Sequence, residues 1–160
     1  MNITFLIGNG FDLNYNITPV LVAGGIGIAP LISLAITYNQ YGIKPVLVYG
    51  ARSKDDLVLT EELEKYADLY LCTDDGSMGF KGNVIDCIKH HNIDIKYYHA
   101  CGPQVMLKFL AKAFPNGEVS LEARMGCGFG ACMGCSIETT KGPKRVCKEG
   151  PVFNANEVLF

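Results

Sequence analysis

The chain has 160 residues, 49% of them hydrophobic, enough to bury one core of ordinary size with a small appendage. Fourteen Lys and Arg against sixteen Asp and Glu give a net charge of -2 with no basic block, which argues against nucleic acid or an anionic membrane as partner. No apolar run approaches the roughly 20 residues that span a bilayer, and no signal-type segment follows Met1, so a cytoplasmic protein is expected.

After an irregular opening, "PVLVAGGIGIAP" reads as a buried strand over 20–23, a glycine-rich turn and a helix over 28–39. The same rhythm continues. "KPVLVYG" is a second strand, "LTEELEKY" a short helix capped by Thr60, "DLYLCT" a third strand, "NVIDCIKHH" a helix and "DIKYYHACG" a fourth strand. "PQVMLKFLAKAF" then places Val105, Met106, Phe109, Leu110 and Ala113 at helical spacing on one face, and "PNGEVSLEA" supplies a turn and a fifth strand. This alternation predicts an α/β fold with a doubly wound, parallel, five-stranded sheet. The expected organisation is residues 17–122 for that domain and 123–160 for a small Gly- and Cys-rich domain, with "CSIETTKGPKRVC" as a hairpin turning at 141–144. The C-terminal segment is expected as a compact appendage rather than another layer of sheet.

Seven cysteines divide into two groups. Cys72, Cys87 and Cys101 are scattered in apolar surroundings, whereas Cys127, Cys132, Cys135 and Cys147 form C-x4-C-x2-C-x11-C in glycine-rich sequence. A plant-type [2Fe-2S] cluster uses this spacing, with three thiolates on one loop and a fourth further along. Gly126, Gly128, Gly130 and Gly134 let the backbone curl and leave space for amides to reach the sulfurs. Structural zinc is the alternative, although zinc ribbons pair two C-x2-C knuckles and only one is present. A Rieske centre needs two histidines, and His90, His91 and His99 all lie upstream, where they read as a helix end and a strand residue.

"GGIGIAP" follows a strand and opens a helix, so its amides and the helix dipole suit a pyrophosphate. Gly25 and Gly27 match the first two glycines of G-x-G-x-x-G, with Pro30 in the third place and Gly24 leading into the turn. A tight turn into a packed helix is the alternative reading. Ligands of such sheets sit at the carboxyl ends of strands, which adds Thr73, Asp74, Asp75 and Gly76 after the third strand and Cys101, Gly102 and Pro103 after the fourth. Asp74 and Asp75 would accept from ribose hydroxyls and repel a 2′-phosphate, favouring NAD over NADP, while Cys101 stands where a nicotinamide could approach.

With these residues in place, the chain over 8–160 resembles the electron-transfer subunit of class B dihydroorotate dehydrogenase, within the ferredoxin-NADP reductase superfamily. The resemblance rests on "GNGFDL", "VAGGIGIAPL", "YGARSKDDL", "CTDDGSMGFKG", "ACGPQVML", "LEARMGCGFGACMGCSI" and "VCKEGPVF". It implies a flavin-binding barrel, an NAD-binding domain of the ferredoxin-reductase C-terminal type and a [2Fe-2S] domain. It further implies an FMN-containing catalytic subunit as partner, in a heterotetramer-like assembly that oxidises dihydroorotate to orotate for pyrimidine synthesis. Electrons would pass from partner FMN through the cluster and FAD to NAD.

"LIGNGFDL" looks like the last turn of the flavin barrel, and only seven residues precede Gly8, so 1–16 are expected to be a remnant of that domain. They also look like the opening of an abortive-infection protein family. On the main resemblance Gly8, Asn9, Gly10 and Glu122 would touch a flavin edge, and no complete active site is expected in this chain alone. Two alternatives stand beside this reading. One is a ferredoxin-NAD(P) reductase or sulfide-dehydrogenase-like subunit, a branch that tends to place Asp where Cys127 stands. The other is an inactive, truncated nucleotide-binding module with a structural metal.

Overall fold

The computed structural model describes residues 18–160. Strand β1 (Val20–Gly24) is buried along its whole length and alternates its side chains between two cores. Leu21 and Ala23 pack with helix α1 (Ile28–Gln40), and Val20 and Val22 point to the opposite face. A strand covered on both sides has no polar face, which is why "VLVA" reads as a continuous apolar run. β2 (Val46–Ala51) pairs parallel to β1, and β3 (Asp68–Thr73) parallel to β2, with α2 (Thr60–Tyr66) between them.

A two-residue strand β4 (Phe80–Lys81) closes that edge, and α3 (Val84–His90) crosses to the other face. β5 (Tyr98–Cys101) then pairs with β1, α4 (Gln104–Ala113) follows, and β6 (Gly117–Ser120) pairs parallel to β5. In the C-terminal segment β7 (Ser136–Ile137) and β8 (Lys144–Arg145) form a small antiparallel pair, and β9 (Val152–Asn154) runs antiparallel to β6.

Among the described residues the main sheet has the order β4-β3-β2-β1-β5-β6-β9. Its five principal strands are the five expected from the sequence, all parallel, with α1 and α2 on one face and α3 and α4 on the other. Strand order reverses between β1 and β5. The carboxyl ends of that pair are therefore the switch point at which a doubly wound sheet binds its ligand.

Four details differ from expectation. First, the C-terminal segment is more than an appendage, because β9 extends the main sheet and Cys135, Val146 and Phe153 share a core with α3 and α4. β9 covers the β6 edge, which would otherwise present unpaired backbone groups. Second, α4 buries Leu107 and Leu110 with Met106 beside them, whereas Val105 and Phe109 are exposed and so is Ala113. Third, Thr60 is the first residue of α2 and not its cap; the preceding Leu59 takes a left-handed conformation at φ 59°. Fourth, the Ser136–Arg145 and Ile137–Lys144 pairing opens the hairpin turn at Glu138, where Thr139 Oγ1 donates to the Gly142 carbonyl at 2.6 Å.

Candidate functional site

At the switch point the chain leaves β1 through a tight turn, 25–27, and enters α1 without a side-chain cap or an acidic residue in the first helical turn. The first amides of a helix have no partners within it, so this end offers donors and a positive dipole to an anion. Gly27 is required for a separate reason. A Cβ there would stand 2.2 Å from the Cys101 carbonyl oxygen, so only glycine lets the turn lie against the end of β5.

Beside this turn opens a cleft of about 910 Å³. Gly24, Gly25, Gly27, Asp74, Gly102, Pro103 and Glu122 line it, drawing together sequence candidates from four strand ends. Gly8, Asn9 and Gly10 lie outside the described residues. Pro30, Thr73, Asp75, Gly76 and Cys101 do not line the cleft.

Local structure explains most of these absences. Thr73 is buried, its hydroxyl donating to the Met78 carbonyl at 2.8 Å and accepting from the Met78 amide at 3.1 Å. Asp75 accepts from the Ser77 amide and hydroxyl at 2.9 and 2.6 Å, and these contacts hold its carboxyl below the usual range. Ser77 Oγ in turn accepts from the Lys54 amide at 2.8 Å, so the 73–78 loop locks the 52–56 loop in place. Cys101 points into the core beneath α1, where burial pushes its thiol up.

The cleft also takes residues beyond the ligand candidates of the sequence: Tyr49, Arg52, Asp56, Asn83, Met106 and Ile137 among them. Arg52 and Asp56 follow β2 at the same sheet edge, a position from which they could have been inferred. Tyr49 is buried, and its hydroxyl donates to the Asp56 carbonyl at 3.4 Å and accepts from the Val58 amide at 3.3 Å. The lining thus carries one guanidinium, of Arg52, and three carboxylates, of Asp56, Asp74 and Glu122. Met106, Leu107, Leu121 and Ile137 make the wall apolar, as a flat ring system requires.

The cysteine loop follows β6. Gly128 and Gly130 adopt φ of 73° and 91°, which turns the chain around the sulfurs, and Met133 takes φ 60° as well. Cys127 Sγ accepts from the Ala131 amide at 3.2 Å and the Cys132 amide at 3.4 Å. Cys132 Sγ accepts from the Gly134 amide, and Cys135 Sγ from the Cys147 amide, both at 3.4 Å. Hydrogen bonds from the Cys132 and Phe129 amides favour the Cys127 thiolate and push its pKa down to about 6. In the second pair, the Cys147 amide and thiol both donate toward Cys135, which lowers Cys135 and raises Cys147.

The amide-to-sulfur contacts group Cys127 with Cys132 and Cys135 with Cys147, and none of the four is in a disulfide. Two pairs suit two irons; one tetrahedral zinc asks for four donors about a single point. Among the described residues, no group of three or more His, Cys, Asp or Glu side chains is placed to hold one ion. Gly126 leaves the room that the sulfurs need, since a Cβ there would meet Cys132 Sγ at 3.1 Å. The donor set, with amides aimed at the sulfurs, fits a [2Fe-2S] cluster.

Comparison with known proteins agrees with both halves of the geometry. Residues 21–112 match the oxidoreductase NAD-binding domain family, and residues 122–159 match the iron-sulfur cluster binding domain of dihydroorotate dehydrogenase B. The chain is 42% identical over 162 residues to the dihydroorotate dehydrogenase B (NAD(+)) electron transfer subunit of Fusobacterium nucleatum, covering 95% of this chain and 62% of the relative. A Geobacillus kaustophilus protein of the same name is 42% identical, covering 96% and 63%. The chain thus spans a little over three-fifths of the length of these relatives. Among solved structures, an NADH-dependent reduced ferredoxin-NADP oxidoreductase superposes with a TM-score of 0.79 at 33% identity, covering 90% of this chain and 55% of the other. A flavohemoglobin from Malassezia yamatoensis shares the fold alone, with a TM-score of 0.55 at 20% identity over 70% of this chain and 30% of that one. Among the described residues no helix is long and apolar enough to cross a membrane. The chain belongs to the oxidoreductase NAD-binding domain family, and its C-terminal segment matches the iron-sulfur cluster binding domain model of dihydroorotate dehydrogenase B.

Proposed function

We propose that this chain is the electron-transfer subunit of an assembly that oxidises dihydroorotate to orotate and reduces NAD+, in partnership with an FMN-containing catalytic subunit. The observation that carries the reading is the pairing of Cys127 with Cys132 and of Cys135 with Cys147, beneath amides aimed at their sulfurs. These four are the cluster ligands. When bound, the cluster supplies one-electron transfer, NAD takes up hydride, and FAD of the superfamily's flavin domain converts between the two.

The chain's own residues bind and orient. The uncapped amides at the start of α1 hold the pyrophosphate, Asp74 accepts from a ribose hydroxyl and disfavours a 2′-phosphate, and Gly102 with Pro103 leaves space over the β5 end. Glu122 and Ile137 line the same cleft. Exposed Met125, Phe129 and Met133 frame the cysteine loop with apolar surface, which suits docking against a partner near the thiols.

A ferredoxin-NAD(P) reductase is the second reading, supported by the 33% identity to a structure of that activity. Cys127 favours the dihydroorotate system, since the other branch tends to carry Asp at this position. The test mixes the purified chain with an FMN-containing dihydroorotate dehydrogenase catalytic subunit and a flavin-binding barrel domain from a relative, and follows NADH formation. Dihydroorotate-dependent NADH supports the proposal. Its absence, with NADH formed from reduced ferredoxin instead, overturns it in favour of the second reading.

A further inference from the structure

The fourth cysteine lies in a turn that begins at Arg145, the last residue of β8. The Arg145 carbonyl accepts from the Lys148 amide at 3.1 Å and the Glu149 amide at 2.9 Å, closing the turn around Cys147. The Glu149 carboxylate folds back over it. Oε2 accepts from the Arg145 amide at 2.7 Å and from Nε at 3.0 Å, and Oε1 accepts from Nη2. One guanidinium nitrogen remains. Nη1 donates to the Gly130 carbonyl at 2.6 Å, midway between Cys127 and Cys132.

Arginine suits this geometry because a planar fork can grip a carboxylate with two donors and still offer a third in a fixed direction. A lysine ammonium has no such fork. The two surfaces meet closely as well, since a Cβ at Gly130 would fall 2.8 Å from Lys148 Cδ and 3.4 Å from Arg145 Nη1. The Cys135 end of the loop reaches the same turn by another route. There, the Val146 amide donates to the Cys135 carbonyl at 3.1 Å and the Cys147 amide to Cys135 Sγ. The Cys127–Cys132 end is tied through Arg145 and Gly130.

We infer that Arg145 is a positioning residue that latches the Cys127–Cys132 arm of the loop onto the turn bearing Cys147, so that both cysteine pairs stay within reach of one cluster. The inference rests on the reading of these cysteines as cluster ligands. Because Glu149 neutralises the guanidinium locally, the contribution of Arg145 is placement rather than net charge. Residues behind metal ligands typically change metal retention by about 10-fold to 100-fold when removed.

The experiment compares the cluster-loaded wild-type chain with Arg145→Gln and Arg145→Lys, reading iron release to ferrozine, the visible circular dichroism of the cluster and thermal unfolding of the sheet. The expected result is iron release about tenfold faster in both variants and altered visible dichroism, with sheet unfolding unchanged. Wild-type release and dichroism in Arg145→Gln overturn the latch and leave the ligand reading standing. If Arg145→Gln fails to fold, Arg145→Lys decides: wild-type behaviour there means that charge suffices, and overturns the latch. A wild-type chain that takes up no iron and sulfide overturns the ligand reading, and the latch with it.

Discussion

Ile137, two residues beyond the third cysteine of the loop, lines the same cleft as Gly25 of the glycine turn. The cysteine-bearing segment thereby supplies part of the wall of the cleft proposed to take the nucleotide. Removing the Ile137 side chain beyond Cβ takes apolar contact from that wall. Ile137→Ala should weaken NADH binding by about threefold to tenfold, measured by fluorescence titration, while iron content stays at the wild-type level. Unchanged affinity would separate the cluster segment from nucleotide binding.

Gly27 sits at ordinary helical dihedrals, so its requirement is steric rather than conformational. Gly27→Ala would press a methyl against the backbone carbonyl of Cys101 and push the turn away from β5. A loss of about 1–3 kcal/mol in urea unfolding is expected, with weakened NADH binding in the same variant. A change within about 0.5 kcal/mol would mean that the turn accommodates the methyl.

On α4 the buried and exposed apolar residues make opposite predictions. Leu110 is fully buried, whereas Val105 is 67% exposed. Leu110→Ala should cost about 2–5 kcal/mol and Val105→Ser no more than about 0.5 kcal/mol, both read by denaturant unfolding. Comparable losses would place the buried face of the helix elsewhere.

Glu157 accepts from Lys144 Nζ at 2.6 Å and pairs with Lys141 Nζ at 3.1 Å, and the Lys144 hydrogen bond leads in holding its carboxyl below the usual range. A carboxyl depressed in the folded state contributes stability above its unfolded pKa, and that contribution is lost as pH falls through the folded value. Glu157→Gln should therefore unfold at a lower temperature than wild type near neutral pH. The gap should close as the pH is lowered through the acid range below about 4. A gap that persists there would assign the effect to packing.

Local chemistry was the legible part of this protein. The cysteine spacing lies within one loop and one turn, so the sequence alone brings those thiols under consideration, and the apolar strands announce a sheet buried on both faces. Contacts between distant segments were not legible. Val105 and Phe109 are as well spaced for a helical face as Leu107 and Leu110, and only packing in the core shared with α3 decides which residues are buried. Nothing in the sequence shows that Asp75 Oδ1 accepts from Ser77, and β9 is too short to announce that it will cover the β6 edge. Arg52 and Asp56 stood in a quoted motif, yet their place in the cleft depends on Tyr49 and on the Lys54–Ser77 contact between loops.

The most direct test is the visible spectrum of the anaerobically purified chain, with iron, acid-labile sulfide and zinc quantified on the same sample. Cluster ligation by Cys127, Cys132, Cys135 and Cys147 predicts two irons and two sulfides per chain, with thiolate-to-iron charge-transfer bands that Cys132→Ser abolishes or strongly weakens while the sheet stays folded. Zinc without sulfide would contradict it, and would leave a nucleotide-binding fold with a structural metal.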